Sequence, residues 1–253
     1  MDIATTAKIH NSVTFGPNCE RVQIGHGVRI NRDVYIDVKD LTIGDYVTIH
    51  HGTVLHGDTV TIGHNCWIGH YCILDGHGGM LSMGNNVGVG AQSQLWSHMK
   101  FGDTLAGCRW HSMDNLVIDD DVWMVGHCIV TPIHAERGSM LMVGSLATKD
   151  MEANHVYAGS PAKDMTDKFG QQFAPTTPQQ RVSGFDKLVA EYADQGNDVS
   201  WVSVVDGLWP QPASNEVTYF NPTRMEYMPR YTSNETALMQ FLLYDRAKFL
   251  PVQ

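Results

Sequence analysis

The residues whose side chains could take part in catalysis or binding are concentrated in the stretch 96–117, which contains Trp96, His98, Arg109, Trp110 and His111. An imidazole with a pKa near neutrality can take a proton from a hydroxyl or an amine. Indole faces beside a guanidinium suit a sugar or a sugar nucleotide's phosphate. We therefore expect this stretch to be a functional loop rather than a decorative one.

A six-residue period on both sides of the stretch indicates the scaffold that must position it. An apolar residue returns every six positions, in groups of three, with a slip of one to a few residues between most groups. These positions are Ile3, Ile9, Phe15, Ile24, Ile30, Ile36, Ile43, Ile49, Leu55, Ile62, Ile68, Leu74, Met83, Val89, Leu95, Ile118, Met124, Val130, Ala135, Leu141 and Ala147. Three such steps predict a three-sided coil, with short strands stacked about 4.8 Å apart. Neither the helical period of about 3.6 nor the strand period of about 2 fits this register.

A second column of small or β-branched residues follows four positions after the first. Its members are Val13, Cys19, Val28, Val34, Val47, Thr53, Cys66, Cys72, Val87, Ser93, Val122 and Cys128. Four of the five cysteines fall in this column, which makes them packing residues, whereas Cys108 lies outside it. Gly often follows the apolar residue, as in Ile43-Gly44, and we expect it to serve tight corners at positive φ.

This pattern resembles the hexapeptide-repeat family, and the resemblance covers residues 3 to about 150. It implies a mainly β fold, a left-handed parallel β-helix of about seven triangular coils with a protruding loop at 96–117. We assign residues 1–165 to this domain. Such coils usually assemble as trimers with active sites between subunits, so the resemblance also implies a homotrimer.

The chain changes character after residue 165. Residues 166–184 include the polar, Pro-rich run GQQFAPTTPQQ, which is typical of a linker. Residues 185–253 predict a small α+β segment, with helices over 185–192 and 236–249 and strands over 201–205 and 217–220.

The end of the coil carries more specific motifs. The runs GSLATKD (144–150) and YAGSPAK (157–163), together with DVWM (121–124), resemble the closing signature of coenzyme-A-dependent O- and N-acetyltransferases. The resemblance implies an acetyltransferase that uses acetyl-CoA as co-substrate. The best acceptor is a hydroxyl or amine of a sugar or nucleotide-linked sugar.

The same resemblance implies the site residues. His98, at the end of Leu95-Trp96-Ser97-His98, matches the histidine that acts as general base. Asp75, at a corner insertion before that coil, matches a carboxylate that binds acceptor hydroxyls, and a structural turn is the alternative. Trp96, Arg109, Trp110 and His111 are further acceptor candidates. The residues implied for coenzyme A are Trp123, Gly126, Val143, Gly144, Ser145, Thr148, Lys149 and Lys163.

A competing interpretation rests on residues 49–57, where His51 and His56 are five apart. They resemble the carbonic-anhydrase step in which two histidines bind zinc across a subunit interface. That family also needs a third histidine about two coils upstream, and residues 31–35 contain none. We therefore expect no metal cofactor. A carbonic-anhydrase-like metal protein and a noncatalytic trimeric scaffold remain the alternatives.

Composition narrows the setting. With 17 Lys+Arg against 27 Asp+Glu, the formal net charge is −10, which disfavours nucleic acid as a partner. The first residues have neither the basic start nor the apolar run of a signal peptide. No apolar run is long enough to cross a membrane. An odd number of cysteines without close pairing fits a reducing compartment. We expect a soluble cytoplasmic protein.

Overall fold

A computed structural model describes residues 1–211 and 214–252 of the protein. The chain forms two compact units, Met1–Phe173 and Ala174–Gln253. Each unit has its own sheets and its own apolar core. In the described residues, no helix is both long and apolar enough to cross a bilayer.

The first unit is built from two large sheets around one continuous apolar core. The strands of the larger sheet are β1 (Asp2–Ile3), β3 (Thr14–Phe15), β4 (Arg21–Ile24), β6 (Tyr35–Ile43), β8 (Val54–Ile62), β10 (Ile73–Met83), β12 (Gln94–Leu95), β15 (Leu116–Ile118), β17 (Ile129–Val130), β18 (His134–Ala135) and β20 (Leu146–Ala147). The strands of the second sheet are β2 (Lys8–Ile9), β5 (Arg29–Ile30), β7 (Thr48–Ile49), β9 (Trp67–Ile68), β11 (Gly88–Val89), β16 (Trp123–Met124), β19 (Met140–Leu141), β21 (Val156–Gly159) and β22 (Ala162–Asp164). A short helix, α1 (Thr166–Phe169), follows β22.

The second sheet contributes one strand to each coil. Of its nine strands in the described chain, β22 pairs antiparallel with β21, and the other eight stack in parallel. The unit has the stacked coils that the period predicts, and it is the left-handed parallel β-helix that the family resemblance implies, with somewhat more coils than the expected seven.

The two sequence columns form the interior of the coil. From Ile24 onward every member of the six-residue column is buried, and so are the small residues of the second column from Val28 onward. Cys66, Cys72 and Cys128 pack inside, and burial raises the pKa of the Cys72 thiol to about 11. Ile3 is 36% exposed because the first coil has a neighbour on one side only.

The glycines that follow the apolar column correct one expectation. Gly44 and Gly63 do not adopt positive φ; the left-handed residues lie two positions later, at Tyr46 (φ 57°) and Asn65 (φ 61°). A Cβ on Gly44 would lie 2.8 Å from the carbonyl carbon of Gly63 in the next coil. Glycine is needed here because successive coils approach closely, and not because of the backbone angle.

The stretch 96–117 leaves the coil as an antiparallel hairpin. Its strands are β13 (His98–Lys100) and β14 (His111–Met113), with His98 opposite Met113 and Lys100 opposite His111. The chain then rejoins the coil at β15, which pairs with β10. Strand β10 itself has a register shift between Gly76 and Met80, where the sequence indicated a corner insertion.

The second unit combines a four-stranded mixed sheet with two helices. Its elements are α2 (Pro178–Asp194), β23 (Val202–Val204), β24 (Thr218–Asn221), β25 (Glu226–Tyr227), α3 (Ser233–Leu242) and β26 (Leu250–Pro251). Helix α2 begins inside the stretch assigned to a linker, with Thr177 forming a capping box with Gln180. Helix α3 ends at Leu242 instead of continuing to 249. The chain turns there, so that Phe249 is buried and Leu250 pairs with β25.

Candidate active site

One corner of the β-helix brings together side chains from successive coils. In the ladder, Asp75 lies opposite His56, and the strand ends Leu74, Leu95, Val130 and Ala147 are in register. The residues at equivalent positions on this corner, which we call the His98 corner, are therefore His56, Asp75, Trp96, Thr131 and Thr148.

His98 is held by a buried carboxylate. Its Nδ1 lies 2.6 Å from Oδ2 of Asp75, whose side chain is completely buried. The same oxygen accepts hydrogen bonds from the Ser97 amide (3.2 Å) and the Ser97 hydroxyl (3.1 Å). The other oxygen accepts from the His77 amide at 3.2 Å and lies 3.4 Å from Nδ1 of His56. The carboxylate is thus fixed on both sides.

This arrangement sets the chemistry of the imidazole. When Nδ1–H donates to a carboxylate, the neutral ring carries its lone pair on Nε2, which is the atom that can take a proton. A buried carboxylate is tolerated only when it is well hydrogen-bonded, as Asp75 is. Its charge then stabilises the imidazolium that forms when Nε2 is protonated. The His98–Asp75 pair therefore has a geometry in which Nε2 of His98 can accept a proton.

The position of Asp75 corrects the prediction that it binds an acceptor. It has no exposed surface, and its oxygens are taken up by His98, Ser97 and His77. The sequence analysis did not single out Ser97, and it considered His56 only as a zinc ligand. The sequence held a signal for this contact: Ile36, Leu55 and Leu74 are nineteen residues apart, and the same spacing separates His56 from Asp75, which predicts that the two are neighbours in successive coils.

Aromatic rings surround His98. The ring of Trp96 lies edge-on to it at 6.2 Å between centroids, and the ring of His77 is tilted at 5.4 Å. Trp96 is held in turn by a hydrogen bond from Nε1 to Oε1 of Gln94 (3.2 Å). The structure thus places Trp96, one of the predicted acceptor residues, next to His98.

The other predicted acceptor residues lie further out on the hairpin. His98 is at its base, whereas Arg109, Trp110 and His111 are near its tip and exposed; 83% of the Trp110 surface is accessible. Within one chain these three residues project into solvent.

Three of the residues implied for coenzyme A come together. Thr148, Lys149 and Lys163 line a depression of about 270 Å³ at the C-terminal end of the coil. Within the described chain, neither lysine takes part in an ion pair.

The two carboxylates of the depression already have hydrogen-bond donors. Asp150 accepts from the His134 amide at 2.8 Å. Asp164 accepts from Thr166 and pairs with His155, and these contacts lower the pKa of the Asp164 carboxyl to about 2. The lysines are therefore free to meet an anion.

The remaining coenzyme residues occupy the neighbouring corner. The Gly144 amide donates to the Gly126 carbonyl at 3.0 Å, and Val143 and Trp123 are largely exposed beside them. Ser145 does not belong to this surface, which corrects its assignment. It is buried in the second inward column, and its hydroxyl accepts from the Gly159 amide at 3.0 Å.

The suspected zinc pair is also separated. His51 stacks on His70, whereas His56 lies beside Asp75 on the His98 corner. The two histidines occupy successive corners of one coil because strand β8 begins between them.

Fold and site together define a left-handed parallel β-helix built on a six-residue repeat, with a histidine–carboxylate pair on one corner. The chain matches no protein-family model and no curated protein.

Among solved structures, it resembles a mutant of AntD, an N-acyltransferase from Bacillus cereus. The identity is 17% over 71% of this chain and 92% of that chain, with a TM-score of 0.54. Similarity at this level of identity establishes the fold. The chain also resembles NeuO, a polySia-specific acetyltransferase, at 20% identity over 75% of this chain and 97% of that chain, with a TM-score of 0.41.

Proposed function

We propose that the protein is an acyltransferase that moves an acetyl group from acetyl-CoA to a hydroxyl or amine of a sugar or nucleotide-linked sugar, with His98 as general base. The observation that carries the proposal is the 2.6 Å hydrogen bond between His98 Nδ1 and the buried Asp75 carboxylate. The fold adds support, because the AntD structure that shares it holds dTDP-4-amino-4,6-dideoxyglucose and coenzyme A.

One side chain, that of His98, is enough for both proton transfers of the proposed reaction. His98 Nε2 takes the proton of the acceptor hydroxyl or amine while the acceptor atom bonds to the thioester carbonyl carbon. The imidazolium then returns that proton to the sulfur as the carbon–sulfur bond breaks. The products are an acetyl ester or amide and a free thiol. Asp75 stabilises the charge that His98 carries in between.

The residues at the C-terminal end of the coil fit the anionic end of coenzyme A. Thr148 lies two coils from Trp96 on the His98 corner, a separation of about 10 Å at the ordinary strand spacing. Lys149 and Lys163, which are unpaired in the described chain, would hold the phosphates there. Trp123, Gly126, Val143 and Gly144 lie one corner away, so their role in the proposal requires that corner of a second copy.

The hairpin supports assembly with further copies. Phe101 is 101% exposed and Leu105 is 99% exposed at its tip, where Trp110 is also accessible. Clustered apolar side chains of this size mark interaction surfaces. We propose a homotrimer in which the hairpin packs on a neighbouring coil. Sedimentation equilibrium should show a trimer that dissociates in Leu105→Asp but not in Leu208→Asp, the same change at another exposed leucine (87%).

The activity is tested by thiol release from acetyl-CoA, followed with a chromogenic thiol reagent across amino-sugars, sugars and nucleotide-sugars. We expect acceptor-dependent release that falls by about 10²-fold or more in His98→Ala, the scale of general-base loss. His10→Ala, which changes an exposed histidine of the first coil, is the control and should retain full activity.

Two results would contradict the proposal in different ways. Activity that survives His98→Ala leaves an acyltransferase but removes its base. No release with any acceptor, together with no binding of coenzyme A by calorimetry, rejects the acyltransferase and favours a noncatalytic scaffold.

A further inference from the structure

Three histidines from two neighbouring coils meet at a place that the proposed reaction does not use. His50 and His51 follow strand β7, and His70 follows strand β9. One ring nitrogen of each histidine lies within 4.8 Å of the others. The rings of His51 and His70 stack at 5.1 Å between centroids with an interplanar angle of 17°, and the His50 ring stands edge-on to His70 at 5.9 Å.

The repeat explains how the cluster forms. Strands β7 and β9 are parallel neighbours with Ile49 opposite Ile68, so each residue of one turn lies above its equivalent nineteen positions later. His51 and His70 are such a pair. Adjacent strands are about 4.8 Å apart, so the side chains of such a pair lie side by side.

A second observation comes from His70 itself. Its Nδ1 is buried and has no hydrogen-bond partner among the described residues. A buried nitrogen without a partner is unfavourable, because it has lost water and gained nothing in return. A metal ion bound by this nitrogen would supply the missing interaction.

His50 is held in place by two neighbouring side chains. His50 packs against Trp67, with ring centroids 4.9 Å apart, and its Nδ1 lies 3.3 Å from Nδ2 of Asn31.

We propose that His50, His51 and His70 bind one divalent late transition-metal ion of the zinc class, leaving a fourth position for water. Tetrahedral zinc with nitrogen ligands at about 2.0–2.1 Å places those nitrogens about 3.4 Å apart, so small side-chain rotations complete the site. Three nitrogens and no carboxylate favour zinc, nickel or copper over magnesium or calcium. The ion would clamp two coils together and take no part in acetyl transfer.

The test uses the full chain without an affinity tag, stripped of metal with a chelator and then dialysed against micromolar Zn²⁺ in excess Mg²⁺. Bound zinc is counted by mass spectrometry. We expect about one zinc ion per chain, and an affinity at least about tenfold weaker in His51→Ala and in His70→Ala. His10→Ala, an exposed histidine on an earlier turn, should bind zinc like the wild type.

Thermal denaturation provides a second measurement. Zn²⁺ at about 100 times its Kd should raise the Tm of the wild type and of His10→Ala but not that of His70→Ala. If His70→Ala does not fold, His51→Ala and His70→Gln carry the comparison. The proposal is overturned if the wild type retains no zinc, or if both cluster variants retain as much as the wild type. Neither readout uses acetyl transfer, so the proposed activity stands or falls separately.

Discussion

Replacing Asp75 with asparagine removes one negative charge and almost no volume. Four donors converge on this carboxylate: the Ser97 amide and hydroxyl, the His77 amide and, at 2.6 Å, Nδ1–H of His98. An amide has one accepting oxygen. Its NH₂ group must therefore replace one of the two carboxylate oxygens.

The contacts decide which oxygen is lost. On the Oδ2 side an NH₂ group would face three donors, from His98 and Ser97. On the Oδ1 side it would face only the His77 amide, and it could donate to Nδ1 of His56, 3.4 Å away. We therefore expect the amide introduced by Asp75→Asn to keep its oxygen toward His98. The geometry and tautomer of the base survive, but the charge opposite the imidazolium is gone.

The expected loss is then in kcat. Removal of the charge should lower kcat by about 10²-fold, equivalent to about 2.7 kcal/mol of transition-state stabilisation. The KM for acetyl-CoA should stay within about twofold, because Asp75 has no exposed surface to offer a substrate. The free energy of unfolding should fall by about 0.5–1.5 kcal/mol, since the partly buried hydrogen bond from the His77 amide is lost.

The thiol-release assay measures this directly, with a blank for Cys19 and Cys108, which are only partly buried and react with the reagent. Asp37→Asn is the matched control: it lies on the same corner, opposite His56, and binds Asn18 rather than His98. A kcat for Asp75→Asn within about threefold of wild type would refute the reasoning. So would an equal loss in Asp37→Asn, because the effect would then not be specific to the base.

Three further predictions follow from the first unit. Leu55→Ala, in the centre of the coil, should cost about 2–5 kcal/mol of unfolding free energy in a denaturant titration, and a cost under about 1 kcal/mol would show that the core is loosely packed there. The double variant Lys149→Ala with Lys163→Ala should have a KM for acetyl-CoA about tenfold higher at unchanged kcat, and the increase should be larger at low salt. A decrease in kcat alone would show that the two lysines do not bind the phosphates of coenzyme A. The hydrogen bond to Asp164 raises the pKa of His155 above its ordinary value of 6.5. The pair's contribution to the free energy of unfolding is therefore complete below pH 6.5 and disappears as the pH rises through the pKa of the folded state. The Tm difference between wild type and His155→Gln should therefore be larger at about pH 5.5 than at about pH 8.5, and small throughout because the pair is exposed; the opposite order would contradict the assignment.

Much of the coil could be predicted because its pattern is local. Ile43, Ile49 and Leu55 repeat at six because each face of the triangle turns one apolar side chain inward, and the small residues four positions later fill the corners. Ser145, which the sequence analysis did not place in this column, stands four positions after Leu141 and so has its spacing. The sequence therefore already indicated its burial, although the family resemblance suggested a cofactor contact.

The second unit was less predictable because it has no repeat. Its helix α3 stops at Leu242 although the apolar pattern continues, since Phe249 is needed against Phe185 and Phe220 in the core. Helical spacing alone does not show that Phe249, which the pattern includes in the helix, will instead be buried beside the next strand, β26.

The sequence by itself determined the β-helix, the six-residue register and the choice of His98, at the start of the loop 96–117, as a candidate base. Only the tertiary structure decided what His98 touches. Asp75 reaches it because one coil stacks on the next, and the same stacking joins His51 to His70. Such contacts depend on the number of residues in each coil, including the insertion at Gly76–Met80. A one-residue change in that number shifts every later neighbour, so partners across coils are set by the packed register and not by the local motif.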